Sequence, residues 1–304
     1  MVGLFHQSLG HSSLLFLAYP PKLLQDDANV TKGLGFCCVP QGVGLNNSPI
    51  VEADTERGFI RRMGNLIRRK SMPYVKRIVC LANSRKTSGR CIAGKEFKAE
   101  GQFGGWIRPV SDRLTQELSE RECKYGNGGE PKLLEIIDIP TLCHQPHAHQ
   151  IENHLINPRR YWTRKGRITW NALRPAIDRD AGSVWGTGNS SYNGRNDRLS
   201  EEEIEIYKGS LLLLEPEQFV LVVAEERTNL YHLRRRVRAE FVWKQAFYRL
   251  SVTDPVIEKQ YLAMPNGKYT LKDVVACFSV GHPHTDGMCY KFCAGIMIPE
   301  RVQS

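Results

Sequence analysis

The stretch that decides the fold is Tyr74-Val75-Lys76-Arg77-Ile78-Val79-Cys80-Leu81. It is rich in β-branched and apolar residues and is followed by a polar turn at 83–89, which is the pattern of a buried strand. Upstream, residues 1–71 contain Pro20-Pro21 and a Gly-rich stretch and show no sustained periodicity. We therefore expect residues 1–71 to be a loop-rich or disordered tail, with a folded domain beginning near Met72.

Short strands and few helices are predicted outward from this stretch. Leu114 and Leu118 suggest a helix over 111–122, and a capping box at Ser200 and Glu203 predicts a second helix over 201–207. Strands dominate from residue 210 onward. The expected fold class is mainly β, with a first small β domain at 72–140, an irregular connector with short helices at 141–209 and a second small β domain at 210–304.

The positive charge is concentrated in one part of the chain. The 304 residues carry a formal charge of +10, whereas residues 61–110 alone hold thirteen basic and two acidic residues, a net charge of +11. Such a block attracts polyanions, because each phosphate that Lys or Arg neutralises releases condensed counterions. Nucleic acid is the predicted partner class, and a solvated basic surface is the alternative.

Composition excludes other classes. Hydrophobic residues make up 41% of the chain and charged residues 24%, as in a folded globular protein. No apolar run approaches the roughly 18 residues of a membrane helix, and no signal peptide is recognisable, so we expect no membrane partner. Nine scattered cysteines in a chain of this length favour reduced thiols and a cytoplasmic location.

Two basic segments are candidate nucleic-acid contacts. Residues 159–167 interleave cations with rings, which is what binding to single strands requires, although Trp162 fits a core position equally well. A turn after the first strand carries Arg85, Lys86 and Arg90, where a loop could hold phosphates; the alternative is an ordinary exposed hairpin tip. The candidates in the first segment are Arg159, Arg160, Trp162, Arg164 and Lys165.

Metal binding and catalysis are the weaker alternatives. Two groups of soft ligands lack the spacing of known zinc sites: Cys143, His144, His147, His149 and His154, and then His282, His284, Asp286, Cys289 and Cys293. No familiar catalytic motif is present, and neither a metal nor another cofactor is predicted. If the irregular segments converge, Glu152 and Asp197 are the candidate carboxylates of a metal-dependent enzyme acting on nucleic acid. An adaptor that docks an acidic protein is a third hypothesis.

Several stretches resemble the bacterial dual OB domain family. They are Lys76 to Lys86, Gly89 to Gly94, Gly104 to Ser111, Gln150 to Asn153 with Trp162, Gly194 to Arg198, Tyr248 to Pro255 and Cys289 to Ile296. The resemblance covers about residues 74 to 298, and it implies that residues 1–71 are a non-native extension with Met72 as the true start. It also implies two OB-like barrels that bind nucleic acid, in a conflict or repair system. The interleaved cations and rings add an expected preference for single strands.

The resemblance also implies a set of contact residues on the matched positions. These are Arg77, Ser84, Lys86, Arg90, Trp106, Arg108, Glu152, Asn153, Asn196, Asp197, Arg198 and Lys291. It implies a binding module and no particular reaction.

Overall fold

The structure is a computed structural model that describes residues 72–86, 88–227 and 232–303. The predicted extension at 1–71 lies outside these residues. Within the part of the chain that is described, no helix has the length and hydropathy needed to cross a membrane. The fold is mainly β, as the sequence predicts.

Six strands form the first sheet. They are β1 (Tyr74–Lys86), β2 (Gly89–Phe97), β3 (Phe103–Val110), β4 (Glu135–His144), β5 (Asn153–Ile156) and β6 (Thr163–Arg167). The strands pair in the order β1-β2-β3-β5-β4, and β4 pairs again with β1, so five strands close into a barrel with β6 added outside β4. The β3–β5 pair is parallel and the others are antiparallel.

The stretch that begins the fold is the long strand that closes the barrel. The first half of β1 pairs with β4, and its second half pairs with β2. Residues 78–82 are buried on both faces of the strand. A strand that alternated between core and solvent would bury one face only, so this continuous apolar run indicates a second layer packed on the outside of β1.

The second sheet supplies that layer. Its strands are β7 (Arg198–Ser200), β8 (Leu211–Leu214), β9 (Gln218–Arg227), β10 (Leu233–Trp243), β11 (Ala246–Val252), β12 (Gly267–Leu271), β13 (Val275–Pro283) and β14 (Met288–Met297). The order is β12-β9-β10-β11-β14-β13-β8, with β7 on β14. The β11–β14 pair is parallel.

The two sheets share a hydrophobic core. The apolar cluster that fills the first barrel also contains second-sheet residues, namely Leu211, Leu213, Val275, Cys277, Ala294 and Met297. At Gly295, a Cβ atom would lie 2.4 Å from the backbone oxygen of Leu81. Only glycine permits this approach of β14 to β1, so the sheets pack backbone against backbone here.

Helices are short, and one of the predicted helices is absent. The 3₁₀ helix at Asn171–Ala176, α1 (Glu201–Glu205), α2 (Pro255–Leu262) and α3 (Pro299–Gln303) are the helices of the described residues. The capping box of Ser200 and Glu203 begins α1 as predicted. The helix predicted over 111–122 is wrong: Leu114 is fully exposed, and the backbone of Leu118 exchanges hydrogen bonds with Arg90, so no apolar stripe supports a helix.

The predicted boundaries need correction. The connector assigned to 141–209 contains the end of β4 and all of β5 and β6, which belong to the first sheet. The sequence analysis placed the end of the first domain too early, because the His, Pro and Arg residues in 143–167 interrupt the alternation of apolar and polar residues that marks a strand. In this part of the chain the irregular backbone is concentrated at 177–197.

Candidate nucleic-acid interface

A groove with basic walls crosses the outside of the first barrel. It has a volume of about 420 Å³ and lies where β1, β4 and the chain entering β6 meet. Its lining is Val75, Asp138, Pro140, Arg159, Arg160, Tyr161 and Thr163. We call it the basic groove. Tyr161 is 60% exposed and stands next to two exposed arginines. Surfaces that bind single strands combine aromatic rings, on which unpaired bases stack, with cations that bind phosphates. The basic groove has one such ring beside two cations.

Some cations around the groove are already paired. Arg77 donates two hydrogen bonds to Asp138, at 2.6 and 2.9 Å, directly across the β1–β4 pair. These bonds hold the pKa of the Asp138 carboxyl below its usual value. Lys165 lies 3.6 Å from the same carboxylate, and Arg164 lies 2.7 Å from Glu135. These exposed pairs stabilise the fold weakly and leave the surface cationic.

Arg159 and Arg160 differ from these neighbours. Both are exposed, and among the described residues no carboxylate forms an ion pair with either guanidinium. Guanidinium groups that spend no hydrogen bonds on the protein have all of them available for phosphate oxygens. The sequence analysis predicted interleaved cations and rings in this segment. The structure places both arginines and the adjacent Tyr161 on the surface.

The two tryptophans of the predicted set are engaged within the protein. Trp162 is 1% exposed and packs in the core of the first barrel. Trp106 is half-buried, donates a hydrogen bond to Asp178 at 3.3 Å and lies under the Lys95 ammonium. Since Tyr161 and Trp162 are neighbours in extended chain, their rings point to opposite sides. The stacking assigned to Trp162 is therefore corrected: the outward ring is Tyr161.

The turn that was predicted to hold phosphates faces the second sheet instead. Arg85 donates to both carboxylate oxygens of Glu258 on α2, at 2.9 and 3.1 Å, and its backbone N–H bonds to Thr253. Burial and the nearby Arg108 charge lower the pKa of Lys86, which is half-buried. Arg90 lies at 4.0 Å from Glu130. The Arg85 contacts join the end of β1 to the second-sheet region, so this guanidinium is already engaged within the protein.

A buried group of polar residues lies behind this turn. Arg108 lies 3.3 Å from Glu152 and donates a hydrogen bond to Ser210 at 2.8 Å, while the Ser210 hydroxyl donates to Glu152. Gln150 donates to the Val280 carbonyl, and Asn153 donates to Gln116 and Gln150. We call this group the polar junction, because Ser210 and Val280 belong to the second sheet region and the rest to the first barrel.

The polar junction also contains buried atoms that have no hydrogen-bond partner among the described residues. They are Arg108 Nε, Glu152 Oε2, Asn153 Oδ1, His149 Nε2 and His282 Nδ1. Burial lowers the pKa of His149 and lowers that of His282 to about 3. Arg108 and Glu152 are 4% and 6% exposed, so a ligand strand cannot contact them as the structure stands. Their predicted role as surface contact and catalyst is replaced by a structural one.

Other predicted residues also lie inside the protein. Ser84 is buried and donates to the Cys91 carbonyl. The Lys291 ammonium donates to the Gly186 carbonyl at 2.9 Å and lies over the Tyr248 ring, and burial lowers its pKa to about 8. These contacts occupy the ammonium in the interior. We therefore leave Ser84 and Lys291 out of the interface.

Asn196 and Asp197 organise the loop before β7. Asp197 accepts hydrogen bonds from the backbone N–H and the hydroxyl of Ser191, at 2.7 and 2.5 Å. Asn196 accepts from the Gly188 N–H and donates to the Phe247 carbonyl. Arg198 lies 3.6 Å from Asp286. The two candidate carboxylates thus have separate partners within the protein: Ser191 for Asp197, and Ser210 and Arg108 for Glu152.

The histidines form pairs rather than metal sites. The rings of His144 and His154 are tilted against each other with centroids 4.9 Å apart, and the Tyr74 hydroxyl lies 2.7 Å from His154 Nδ1. His147 meets His282 edge to face at 4.8 Å. Within the described residues, no group of three or more His, Cys, Asp or Glu side chains is placed to hold a metal ion.

The sequence analysis missed two arginines on β10. Arg234 is exposed, Arg236 is half-buried, and neither forms an ion pair with a described carboxylate. The signal was available in Leu233-Arg234-Arg235-Arg236-Val237-Arg238, because alternate residues of a strand face the same side.

The closed five-strand barrel with one parallel pair is the architecture of an OB-type protein. The model of the dual OB-containing domain family matches residues 76–296, and the chain belongs to this family. Comparison with curated proteins gave no match. Comparison with solved structures gave none either.

Proposed function

We propose that this protein binds nucleic acid, with a preference for single strands, through the basic groove of its first barrel. The observation that carries the proposal is the exposed Tyr161 ring beside two arginines that have no carboxylate partner among the described residues. Phosphates would bind the guanidinium groups, and one base would stack on the ring. In a duplex the base faces are covered by neighbouring bases, so this geometry favours an unpaired strand.

The family supports the proposal through its fold. OB barrels bind oligonucleotides on a strand face and in the adjacent loops. In the first barrel, the β1–β2 turn and the β4–β5 loop are occupied by contacts to the second sheet, including Arg85 with Glu258 and Gln150 with Val280. The basic groove, on the β1–β4–β6 side, remains open.

The second sheet extends the proposal to a second OB-type barrel. The segments β8 and β9 are consecutive and are separated only by residues 215–217. Together they pair with β13 at one end and with β10 at the other, as β1 pairs with β4 and β2. The parallel β11–β14 pair takes the place of the β3–β5 pair. In chain order, α2 lies after β11 and before β13, which correspond to β3 and β4 of the first barrel. We propose that β8 and β9 are one interrupted strand of a second barrel.

The test measures fluorescence anisotropy of labelled single-stranded DNA, single-stranded RNA and duplex DNA with the full chain at several salt concentrations. We expect salt-sensitive binding that is tightest for a single strand. The double variant Arg159→Ala/Arg160→Ala should bind about 10-fold more weakly, and the slope of log K against log salt should fall by about 1.4, since two phosphate contacts are lost.

The matched control is Lys98→Ala/Arg121→Ala, which removes the same charge from exposed sites outside the groove. It should retain nearly the full slope. Equal losses of affinity and of salt slope in both variants would mean that binding depends on the net charge and not on the basic groove. The absence of binding by the unmodified chain to all three ligands would overturn the proposed function.

A further inference from the structure

Three histidines meet at the polar junction, where the second sheet contacts the first barrel. His282, near the end of β13, faces His147 and His149 of the β4–β5 loop, with ring centroids 4.8 and 6.1 Å apart. In the same contact, the Gln150 amide donates to the Val280 carbonyl at 3.2 Å. The histidines therefore lie where the two sheets are held together.

The hydrogen bonds of the junction fit a neutral His282. Asn153 donates to Gln116 Oε1 at 3.1 Å, and His282 Nε2 lies 3.3 Å from the same oxygen. Because an amide oxygen only accepts, Nε2 carries the hydrogen of the neutral ring. The other nitrogen, Nδ1, is buried and has no hydrogen-bond partner among the described residues. A second proton on this ring would be placed on that buried nitrogen, without an acceptor.

His149 is in a similar environment on the opposite side of the contact. Its side chain is buried, and its Nε2 atom has no hydrogen-bond partner within the part of the chain that the structure describes. Burial lowers the pKa of His149, and the Arg108 charge adds to the decrease, while Glu152 and the backbone of Val280 and Gly281 oppose it. The neutral form is favoured here as well.

The charges that face His282 come from several elements and are positive. Burial lowers the pKa of His282 to about 3, and Lys86 at the end of β1, His147 and His149 in the β4–β5 loop and Arg108 on β3 add to the decrease. A charged His282 would therefore be repelled from every side on which the first barrel contacts it.

The carboxylates of this region already have other partners. Glu152 lies 3.3 Å from Arg108 and accepts from the Ser210 hydroxyl. Glu117, in the loop after β3, accepts from the Ser88 hydroxyl at 2.8 Å. Neither carboxylate is hydrogen-bonded to a described histidine, so neither compensates a charge on the imidazoles directly.

We propose that the polar junction is a proton-binding site whose protonation in mild acid opens the contact between the two sheets. In an opened junction, water surrounds the histidines, and each has the ordinary pKa of about 6.5. Because the closed junction lowers the pKa of His149 and His282, the opened form takes up protons first. The stabilisation of the closed form is complete above about pH 6.5 and is lost as the pH falls below it. This proposal does not depend on the proposed function.

Hydrogen–deuterium exchange of the full chain measures this opening. Two amides report on the junction: Gln150 N–H, bonded to the His147 carbonyl at 2.9 Å, and Val280 N–H, bonded to the Ser210 carbonyl at 3.0 Å. After correction for the intrinsic exchange rate, the His282 proton alone should raise the opening constant about 30-fold between pH 7.5 and pH 5.0. Peptides of the β9–β10 pair, which lies outside the junction, should show a smaller change.

The variant His282→Gln tests the assignment to this ring. Glutamine keeps a side chain that can hydrogen-bond but takes up no proton, so the acid response of the junction should fall by about 30-fold. The matched control is His284→Gln, which removes an exposed histidine two residues further along the chain and should keep the full response.

Two exchange results would overturn the proposal. One is a response of the junction to acid that is no larger than that of the β9–β10 peptides, and the other is a full response in His282→Gln.

A second measurement needs no variant. In nitrogen-15 spectra of the histidine-labelled full chain, the His282 ring, assigned by through-bond correlation to its backbone, should remain neutral with its hydrogen on Nε2 while the junction is closed. A His282 ring that titrates near pH 6.5 in the folded protein would also overturn the proposal.

Discussion

The first barrel contains two groups of basic residues that the sequence presents alike and the structure separates. Arg85 is bound by Glu258 of the second-sheet region, and Arg108 is bound by the buried Glu152 of the first barrel and by Ser210. Arg159 and Arg160 face solvent beside an exposed ring. The net charge of a segment therefore does not locate a binding surface. What distinguishes the two groups is whether the carboxylate partner is supplied by the protein.

The largest expected effect is at the polar junction. Arg108→Met should lower the free energy of unfolding by about 3–5 kcal/mol, because it leaves the Glu152 carboxylate buried without its cation. Urea unfolding followed by circular dichroism measures the change.

The matched substitution at the groove is Arg77→Met. Its ion pair with Asp138 is exposed on the arginine side, so the free energy of unfolding should change by about 1 kcal/mol or less. Equal destabilisation by the two substitutions would contradict the distinction between junction and surface.

The next effect tests the packing of the sheets against each other. Gly295→Ala should destabilise the protein by about 1–3 kcal/mol, because its Cβ would meet the Leu81 oxygen at 2.4 Å and force backbone movement. Gly105→Ala is the control, since its Cβ would have no neighbour within 4 Å. The melting temperatures of both variants, measured by thermal unfolding, test this expectation. A melting temperature unchanged in Gly295→Ala would show that the sheets are not in this contact.

The sequence was sufficient for strands that carry an apolar run and insufficient for β5, β6 and the surfaces. The apolar run at 74–81 predicted β1, and the Ser200 capping box predicted α1, because both signals are local. Trp162 could not be placed by the same reasoning. The alternation that sends Tyr161 outward and Trp162 inward is visible only when one knows which side of the chain the barrel occupies.

The partners of buried charges are also beyond local pattern. Arg108 and Ser210 are 102 positions apart, and Arg85 and Glu258 are 173 apart, so their contacts depend on how the second sheet packs on the first. The family resemblance indicated residues that matter without indicating why. For Arg108, Glu152 and Asp197, the structure gives the reason as buried hydrogen bonding rather than contact with a ligand.

A further expected effect is a loss of stability in mild acid. Burial lowers the pKa of His154 to about 4, with His144 and Lys76 adding to the decrease and Glu96 opposing it; the Tyr74 hydroxyl also faces the ring. The unfolded chain binds this proton near pH 6.5, so the stabilisation is complete above that pH and is lost as the pH falls toward 4.

Melting temperatures measured between pH 7.5 and 4.5 test this expectation. The unmodified chain should lose several degrees more than His154→Gln over this range, because the variant cannot take up the proton. Identical pH profiles for the two proteins would contradict the assignment of the acid effect to His154.

The most direct test of the account is to find where a bound strand touches the protein. A single-stranded oligonucleotide substituted with 5-iodouracil is crosslinked to the full chain by ultraviolet light, and the modified residue is identified by mass spectrometry. The account predicts a crosslink at Tyr161 that disappears in Tyr161→Ala. Crosslinks confined to the β4–β5 loop at 145–152 or to Trp106 would contradict it, because those residues are assigned to contacts within the protein.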